Sequence, residues 1–254
     1  MKNYRLTFNS STNLTLPIKS YLTIEGDALY HGYTKNERPN IGGFLNDLIP
    51  ALSDYQDDLY DRLLKYNNGS VETVKTVIRN IHNVYLNPSV FHMDGMVNQP
   101  FRISNDKYEV FQLIHDRRLL LYDTNFTQFL RTILVEYASK PLCEREYMFA
   151  FPKIALLKKA ISKNQICTVY HTEGQDVFVP VSIESSPIFD YNYIVGITRE
   201  MQPVAIRLLH LQNIVVDESR VKRDGLIKVT DEMCDIIHEH LKSNYDEEYR
   251  KCLG

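Results

Sequence analysis

The sequence predicts an α+β protein in which an α-rich N-terminal region precedes a short run of β-strands. Two observations predict this class. Within residues 1–152, apolar side chains recur every three or four positions, the pattern of amphipathic helices. Residues 166–216 instead show short apolar segments separated by turn residues, which indicates a small sheet. We therefore divide the chain into regions 1–152, 153–217 and 218–254.

Composition excludes several classes of protein. The 254 residues are 44% hydrophobic and 24% charged, with 10 Gly and 10 Pro, which excludes disordered and collagen-like chains. No apolar run approaches the ~20 residues of a membrane helix, and the start lacks an apolar signal core. We expect a cytoplasmic protein without a membrane partner. The net charge of −3 means that nucleic-acid binding would depend on a few placed cations.

The spacing of the cysteines and the lack of catalytic motifs predict neither a metal site nor an enzyme. The four cysteines are far apart and show no zinc-ligand spacing, so we expect reduced thiols and no metal. The sequence contains no nucleophile elbow, phosphate-binding loop, dinucleotide fingerprint or HExxH motif. We therefore predict no catalytic residue and no cofactor, and we do not expect an enzyme.

Two short segments suggest an internal repeat. Tyr4–Phe8 and Phe101–Ser104 both alternate apolar and polar residues, so we predict a strand at each. Because successive side chains of a strand point to opposite faces, each strand would carry an arginine and a hydroxyl on one outward face. These four outward side chains are Arg5, Thr7, Arg102 and Ser104.

Each predicted strand is followed by a polar stretch, an apolar-periodic segment and then a helix that starts at an asparagine. Asn40 and Asn125 are these predicted N-caps, and Gln128 completes a capping-box pattern in the second copy. Both helices then place apolar residues on one stripe. The stripe residues are Phe44 and Leu48 in the first copy, and Phe129 and Ile133 in the second.

This order of strand, helix and capped helix resembles the ribbon-helix-helix family of DNA-binding proteins, over residues 1–55 and 100–140. The resemblance implies an antiparallel ribbon whose outward side chains contact bases, with a phosphate at the helix N-termini of Asn40 and Asn125. The first copy is longer, so we predict an inserted loop at 25–39. The alternative is that the two segments are unrelated strand–helix pieces of one α+β domain.

The second half carries a different resemblance. A helix at 154–161 precedes four or five short strands, which suggests a strongly bent sheet or a barrel. The tripeptide Asn192-Tyr193-Ile194 lies in the third strand, after Pro180. These features resemble the WYL family of bacterial ligand-sensing domains over about residues 153–217. The resemblance implies a small Sm-like β-barrel that senses a ligand.

Four residues match or occupy ligand-pocket positions of that family: Tyr170, Tyr193, Arg207 and His210. An arginine beside an aromatic ring suits a phosphate or an unstacked base. Arg207 lies between Ile206 and Leu208, where an isolated cation needs a partner. His210 alone is better explained as an ordinary histidine on a sheet surface.

These features predict a nucleic-acid-binding regulator with a WYL-like domain that senses a nucleotide or a single-stranded nucleic acid. One alternative is an accessory protein of a type VI CRISPR system that binds single-stranded RNA and stimulates the effector nuclease. Another alternative is a protein-interaction module of phage defence. Region 218–254 suggests a strand–helix extension for dimerisation or packing, so we expect a homodimer. The residues leave the choice between DNA and RNA open.

Overall fold

The computed structural model describes residues 12–86, 95–121, 125–185, 190–216 and 229–240. The chain divides into two compact units between Lys140 and Pro141, before the boundary that we placed at residue 152. The described residues form a mixed α+β protein with a helical N-terminal region and a C-terminal sheet, as predicted. The predicted strand Tyr4–Phe8, with Arg5 and Thr7, lies outside the described residues.

The first unit contains two strands that pair, one short hairpin and five α-helices in its described part. The elements before the second pairing strand are β1 (Thr12–Pro17), α1 (Ile18–Tyr30), β2 (Thr34–Lys35), β3 (Arg38–Pro39), α2 (Ile41–Tyr66) and α3 (Val71–Leu86). The remaining elements are β4 (Met96–Phe101), a 3₁₀ turn (Asn105–Lys107), α4 (Tyr108–Leu121) and α5 (Phe126–Ala138).

The two long strands of this unit form an antiparallel ribbon. β1 pairs with β4 over six residues, from Thr12 opposite Phe101 to Pro17 opposite Met96. Each strand is followed by a helix and then by a helix whose N-cap is an asparagine, Asn40 for α2 and Asn125 for α5. The order of strand, helix and capped helix therefore occurs twice in this unit.

The second strand differs from our prediction. It ends at Phe101, so Arg102 and Ser104 follow the strand instead of projecting from it. The buried side chain of Asn46 in α2 explains this end, because its Nδ2 donates to the Arg102 carbonyl at 3.1 Å and its Oδ1 accepts from the Ser104 N–H at 2.9 Å. The backbone groups that a longer ladder would use are bonded to α2 instead.

The core of the unit lies between the ribbon and the capped helices. All four predicted stripe residues are at most 2% exposed, and so are three apolar residues of the ribbon. The stripe residues are Phe44, Leu48, Phe129 and Ile133; the ribbon residues are Leu14, Leu16 and Phe101. The predicted insertion at 25–39 is only partly a loop, because α1 continues to Tyr30 and a hairpin follows. Pro50 lies inside α2 without ending it.

The second unit contains two consecutive helices, a five-stranded sheet and a last helix. Its elements are α6 (Leu142–Phe149), α7 (Phe151–Ser162), β5 (Cys167–His171), β6 (Gly174–Ser185), β7 (Asn192–Ile197), β8 (Pro203–Arg207), β9 (Leu211–Val216) and α8 (residues 231–240). The strand order is β8-β7-β6-β5-β9, and neighbouring strands are antiparallel. Within the described part of the chain, no helix is long and apolar enough to cross a membrane.

The sheet is open among the described residues, so the predicted small Sm-like β-barrel is not confirmed. The long strand β6 pairs with β5 through its first half and with β7 through its second, and its register shifts between Pro180 and Ser182. Such a bulge bends a strand. A single 3₁₀ turn, Leu208–His210, leads from β8 to β9, the opposite edge of the sheet. Among the described residues no ladder joins these two edges.

The two faces of this sheet are covered by different helices. One face packs against α7 through Ile154, Leu157 and Ala160, all fully buried. On the other face, Tyr193 and Val195 pack against Ile237 of α8. The helix that the sequence predicts in the C-terminal region is therefore present, and its Ile237 side chain is buried on the sheet.

Candidate functional site

The first unit contains a cleft of about 570 Å³ at the start of α2. The hairpin β2–β3, the first turn of α2 and one residue of the ribbon form its walls. The lining residues are Lys35, Asn36, Arg38, Pro39, Asn40, Ile41, Gly42 and Gln99. Two cations and several amides line this cleft, and no carboxylate does.

The hairpin positions the two cations. Asn36 and Glu37 both have positive φ angles, 51° and 61°, which a tight two-residue hairpin turn requires. The turn makes Lys35 and Arg38 direct partners across the hairpin. Like charges in such a pair repel each other, and a bound anion would relieve the repulsion. Glu37 in the turn supplies one negative charge near them.

The N-terminus of α2 adds N–H donors. Asn40 caps the helix, because its Oδ1 accepts from the Gly43 N–H at 3.0 Å. A Cβ at Gly43 would lie 2.5 Å from the Asn40 Nδ2, so the cap requires glycine there. The N–H groups of Ile41 and Gly42 lie in the first turn, where no earlier helical carbonyl can accept from them. Both residues line the cleft, at the positive end of a 26-residue helix.

The ribbon presents a second polar surface. Asn13 and Asn98 are exposed on the face opposite the buried Leu14 and Leu16. Thr15 lies on the same outer face, and its hydroxyl donates to the Asn98 Oδ1 at 2.8 Å. The outer face of the ribbon therefore carries these three neutral polar side chains beside the exposed Met96 and Pro100, and its amide groups can both donate and accept hydrogen bonds. We call Asn13, Thr15 and Asn98 the ribbon face.

The residues that we predicted for the first unit fall in different places. Asn40 lines the cleft, and Asn125 caps α5 by accepting from the Gln128 N–H at 2.8 Å. Arg102 is exposed just after β4, and the Ser104 backbone is held by Asn46. Sequence reasoning missed the ribbon face and the cleft cations. The alternation of polar and apolar residues in 12–17 is a signal for the ribbon face. The turn residue Asn36 between charged residues is a signal for the cleft cations.

In the second unit, the structure brings together two of the four predicted pocket residues. Tyr193 and Arg207 are opposite each other in the β7–β8 ladder. Tyr170 pairs with Gln175 at the start of β6, whereas Tyr193 pairs with Glu184 near its end. Tyr170 is therefore distant from the Tyr193–Arg207 pair along the sheet. His210 lies in the 3₁₀ turn after β8.

The aromatic residue in contact with Arg207 is one that the sequence did not single out. The guanidinium group stacks on the ring of Tyr191, whereas Tyr193 is only 5% exposed and packs under α8.

Asn192, between the two tyrosines, is hydrogen-bonded to Glu146 of α6. Its backbone N–H and its Nδ2 each donate to the Glu146 Oε2 at 2.9 Å, which ties β7 to α6.

Comparison with known proteins identifies a neighbour in fold. No protein-family model matches the sequence, and no curated protein matches it. Among solved structures, the chain is similar to a protein described as a CRISPR Cas-related protein, with a TM-score of 0.58 and 16% sequence identity. The match covers 85% of this chain and 65% of that protein, so this chain spans less than two thirds of its neighbour. At this identity the likeness shows a shared fold.

Proposed function

We propose that this protein binds nucleic acid through its first unit, with the α2 cleft holding backbone phosphate and the ribbon face contacting bases. The cleft carries the proposal, because Lys35, Arg38 and the α2 N-terminus all favour the same kind of ligand. Phosphate groups bind to cations and to the N–H groups of helix N-termini. The repeated order of strand, helix and Asn-capped helix supports a ribbon-helix-helix-like arrangement of this unit.

We propose further that the protein is an accessory component of a CRISPR-type defence system and binds single-stranded RNA. The fold likeness to a CRISPR Cas-related protein favours this role over that of a transcription regulator. In the second unit, the curved sheet preceded by α7 supports a WYL-like, Sm-like domain that senses a nucleotide. The Arg207 and Tyr191 pair would contact that ligand, because a guanidinium binds phosphate and an aromatic ring stacks on a base.

The test is a binding assay of the purified protein against duplex DNA, single-stranded DNA and single-stranded RNA over a range of salt concentrations. The slope of log affinity against log salt counts the phosphates that the protein neutralises. The variant K35A/R38A removes the two cleft cations. We expect it to weaken binding at least tenfold and to reduce the slope by about 1.4, because each of the two lost phosphate contacts contributes roughly 0.7 on single-stranded nucleic acid.

The matched control is K65A/R79A, which also removes two exposed cations from the first unit. Lys65 lies near the other end of α2, about 36 Å from the cleft at 1.5 Å per residue. If both double variants weaken binding equally, the cleft is not the site. If the protein binds none of the three nucleic acids, the interaction-module alternative replaces this proposal. Preference for RNA over duplex DNA separates the accessory role from the regulator role.

A further inference from the structure

Arg118 of α4 is a buried cation without a counterion. Arg118 is only 4% exposed, and no hydrogen-bond acceptor contacts its Nε or its Nη1. Three of the five N–H donors of an arginine belong to these two atoms. Among the residues that the structure describes, no carboxylate forms an ion pair with Arg118. Burial also lowers the pKa of this guanidinium.

The groups in contact with Arg118 are an imidazole and an aromatic ring. Its Nη2 lies 3.4 Å from the Nε2 of His115, one turn earlier in α4. The His115 Nδ1 lies 3.2 Å from the Asp116 Oδ1. On another side, the guanidinium carbon is 5.8 Å from the centroid of the Phe126 ring.

Phe126 is the first residue of α5, so the aromatic ring next to Arg118 belongs to the first turn of a helix. Asn125 caps this 13-residue helix and accepts from the Gln128 N–H. The first-turn N–H groups give this end of the helix a partial positive charge. A buried arginine and the first turn of a helix therefore increase the positive potential in one region, and the described carboxylate on His115, Asp116, forms no ion pair with Arg118.

We propose that Arg118 and the N-terminus of α5 form a binding site for a phosphate-type oxyanion. A buried, unpaired charge is costly in free energy, and an anion that accepts from Nε and Nη1 would remove that cost. A tetrahedral oxyanion suits the site because it can accept from a guanidinium and from helix N–H groups together. This site is separate from the α2 cleft and does not depend on nucleic-acid binding there.

The experiment compares thermal unfolding of the full chain in sodium phosphate and in sodium chloride at matched ionic strength. We expect phosphate to raise the Tm of the wild type saturably, by about 3–6 °C once it exceeds its Kd tenfold. The variant R118M keeps the length and the apolar stem but removes the charge, so it should lose the phosphate response. In chloride its Tm should rise, because an unpaired buried charge has been removed.

The control R79M removes an exposed arginine of α3 and should keep the phosphate response of the wild type. An equal response in wild type and R118M would place phosphate elsewhere and overturn the proposal. So would the absence of any response in the wild type. A short oligonucleotide used in place of phosphate identifies the source of the anion: a response that needs Arg118 assigns the site to nucleic-acid phosphate, and a response to inorganic phosphate alone assigns it to a free anion.

Discussion

The guanidinium carbon of Arg207 lies 3.6 Å from the centroid of the Tyr191 ring, a close cation–π contact on the face of the second unit's sheet that α8 covers. This contact makes Tyr191 the aromatic neighbour of the arginine, and Tyr191 also packs against the apolar cluster of Tyr193, Val195 and Ile237. A ligand at the proposed site would therefore contact Tyr191 and not the buried Tyr193.

The first prediction concerns this pair. We expect R207A to weaken binding of a mononucleotide or a short single strand at least fivefold, because the guanidinium is the phosphate donor of the proposed site. Titration calorimetry measures the affinity, and thermal unfolding measures the stability. The control K159A removes an exposed cation of α7 and should leave both unchanged. A large loss of Tm with unchanged affinity would show that Arg207 only stabilises the fold.

The second prediction concerns Asn46, which bonds the backbone on both sides of Ile103. N46A should lower the free energy of unfolding by about 1–3 kcal/mol, because it leaves the Arg102 carbonyl and the Ser104 N–H without their partner. Urea unfolding of the wild type and the variant gives the difference. N80A, at an exposed position of α3, should stay within about 0.5 kcal/mol of the wild type. Equal stabilities of N46A and N80A would contradict the role of Asn46.

Local signals were enough to predict some elements but not the ribbon register. Asn40 and Asn125 were predicted as caps because a cap is a local pattern, and both cap helices. The strand at 101–104 was wrong because the alternating pattern there is too short to set a strand end. The end is set by Asn46, which is distant in sequence, and the pairing of β1 with β4 joins segments about 85 residues apart.

The candidate site residues were harder to predict, because the sequence alone does not show which side chains they meet. Lys35 and Arg38 are ordinary surface cations in the sequence, and they become a pair only through the hairpin turn at Asn36 and Glu37. Arg118 carries no recognisable pattern, because its isolation follows from which helices surround it. Arg207 was predicted from its apolar neighbours, but its partner Tyr191 depends on how the chain enters β7.

The third prediction concerns Glu146 of α6, which is 1% exposed and accepts from the backbone and the side chain of Asn192. E146A should lower the free energy of unfolding of the second unit by about 1–3 kcal/mol, because the buried Asn192 N–H loses its acceptor, whereas the Asn192 Nδ2 keeps the Cys143 carbonyl. E146Q keeps one amide oxygen as an acceptor and should lose less. Chemical unfolding followed by circular dichroism measures both variants, and equal losses would mean that the charge of Glu146 contributes nothing.

The last prediction is a pH dependence caused by His82 of α3. This histidine is 3% exposed and stacks on Phe129 with ring centroids 6.2 Å apart, and burial lowers its pKa from 6.5 to about 4. The folded state therefore holds the neutral ring at pH values where the unfolded chain takes up a proton. The stability that the neutral His82 ring contributes to the folded state is fully present above pH 6.5. It is lost as the pH falls towards 4.

A shift of this size corresponds to roughly 3 kcal/mol over that interval, at 1.36 kcal/mol for each pH unit. The variant H82F keeps an aromatic ring against Phe129 and removes the titrating group, so its stability should fall less than that of the wild type between pH 7 and pH 4. Urea midpoints at pH 7, 6, 5 and 4 measure the two slopes, and their difference isolates His82 from the carboxylates that titrate in the same range. Parallel slopes for the two proteins would show that His82 takes up its proton equally well in the folded and the unfolded states.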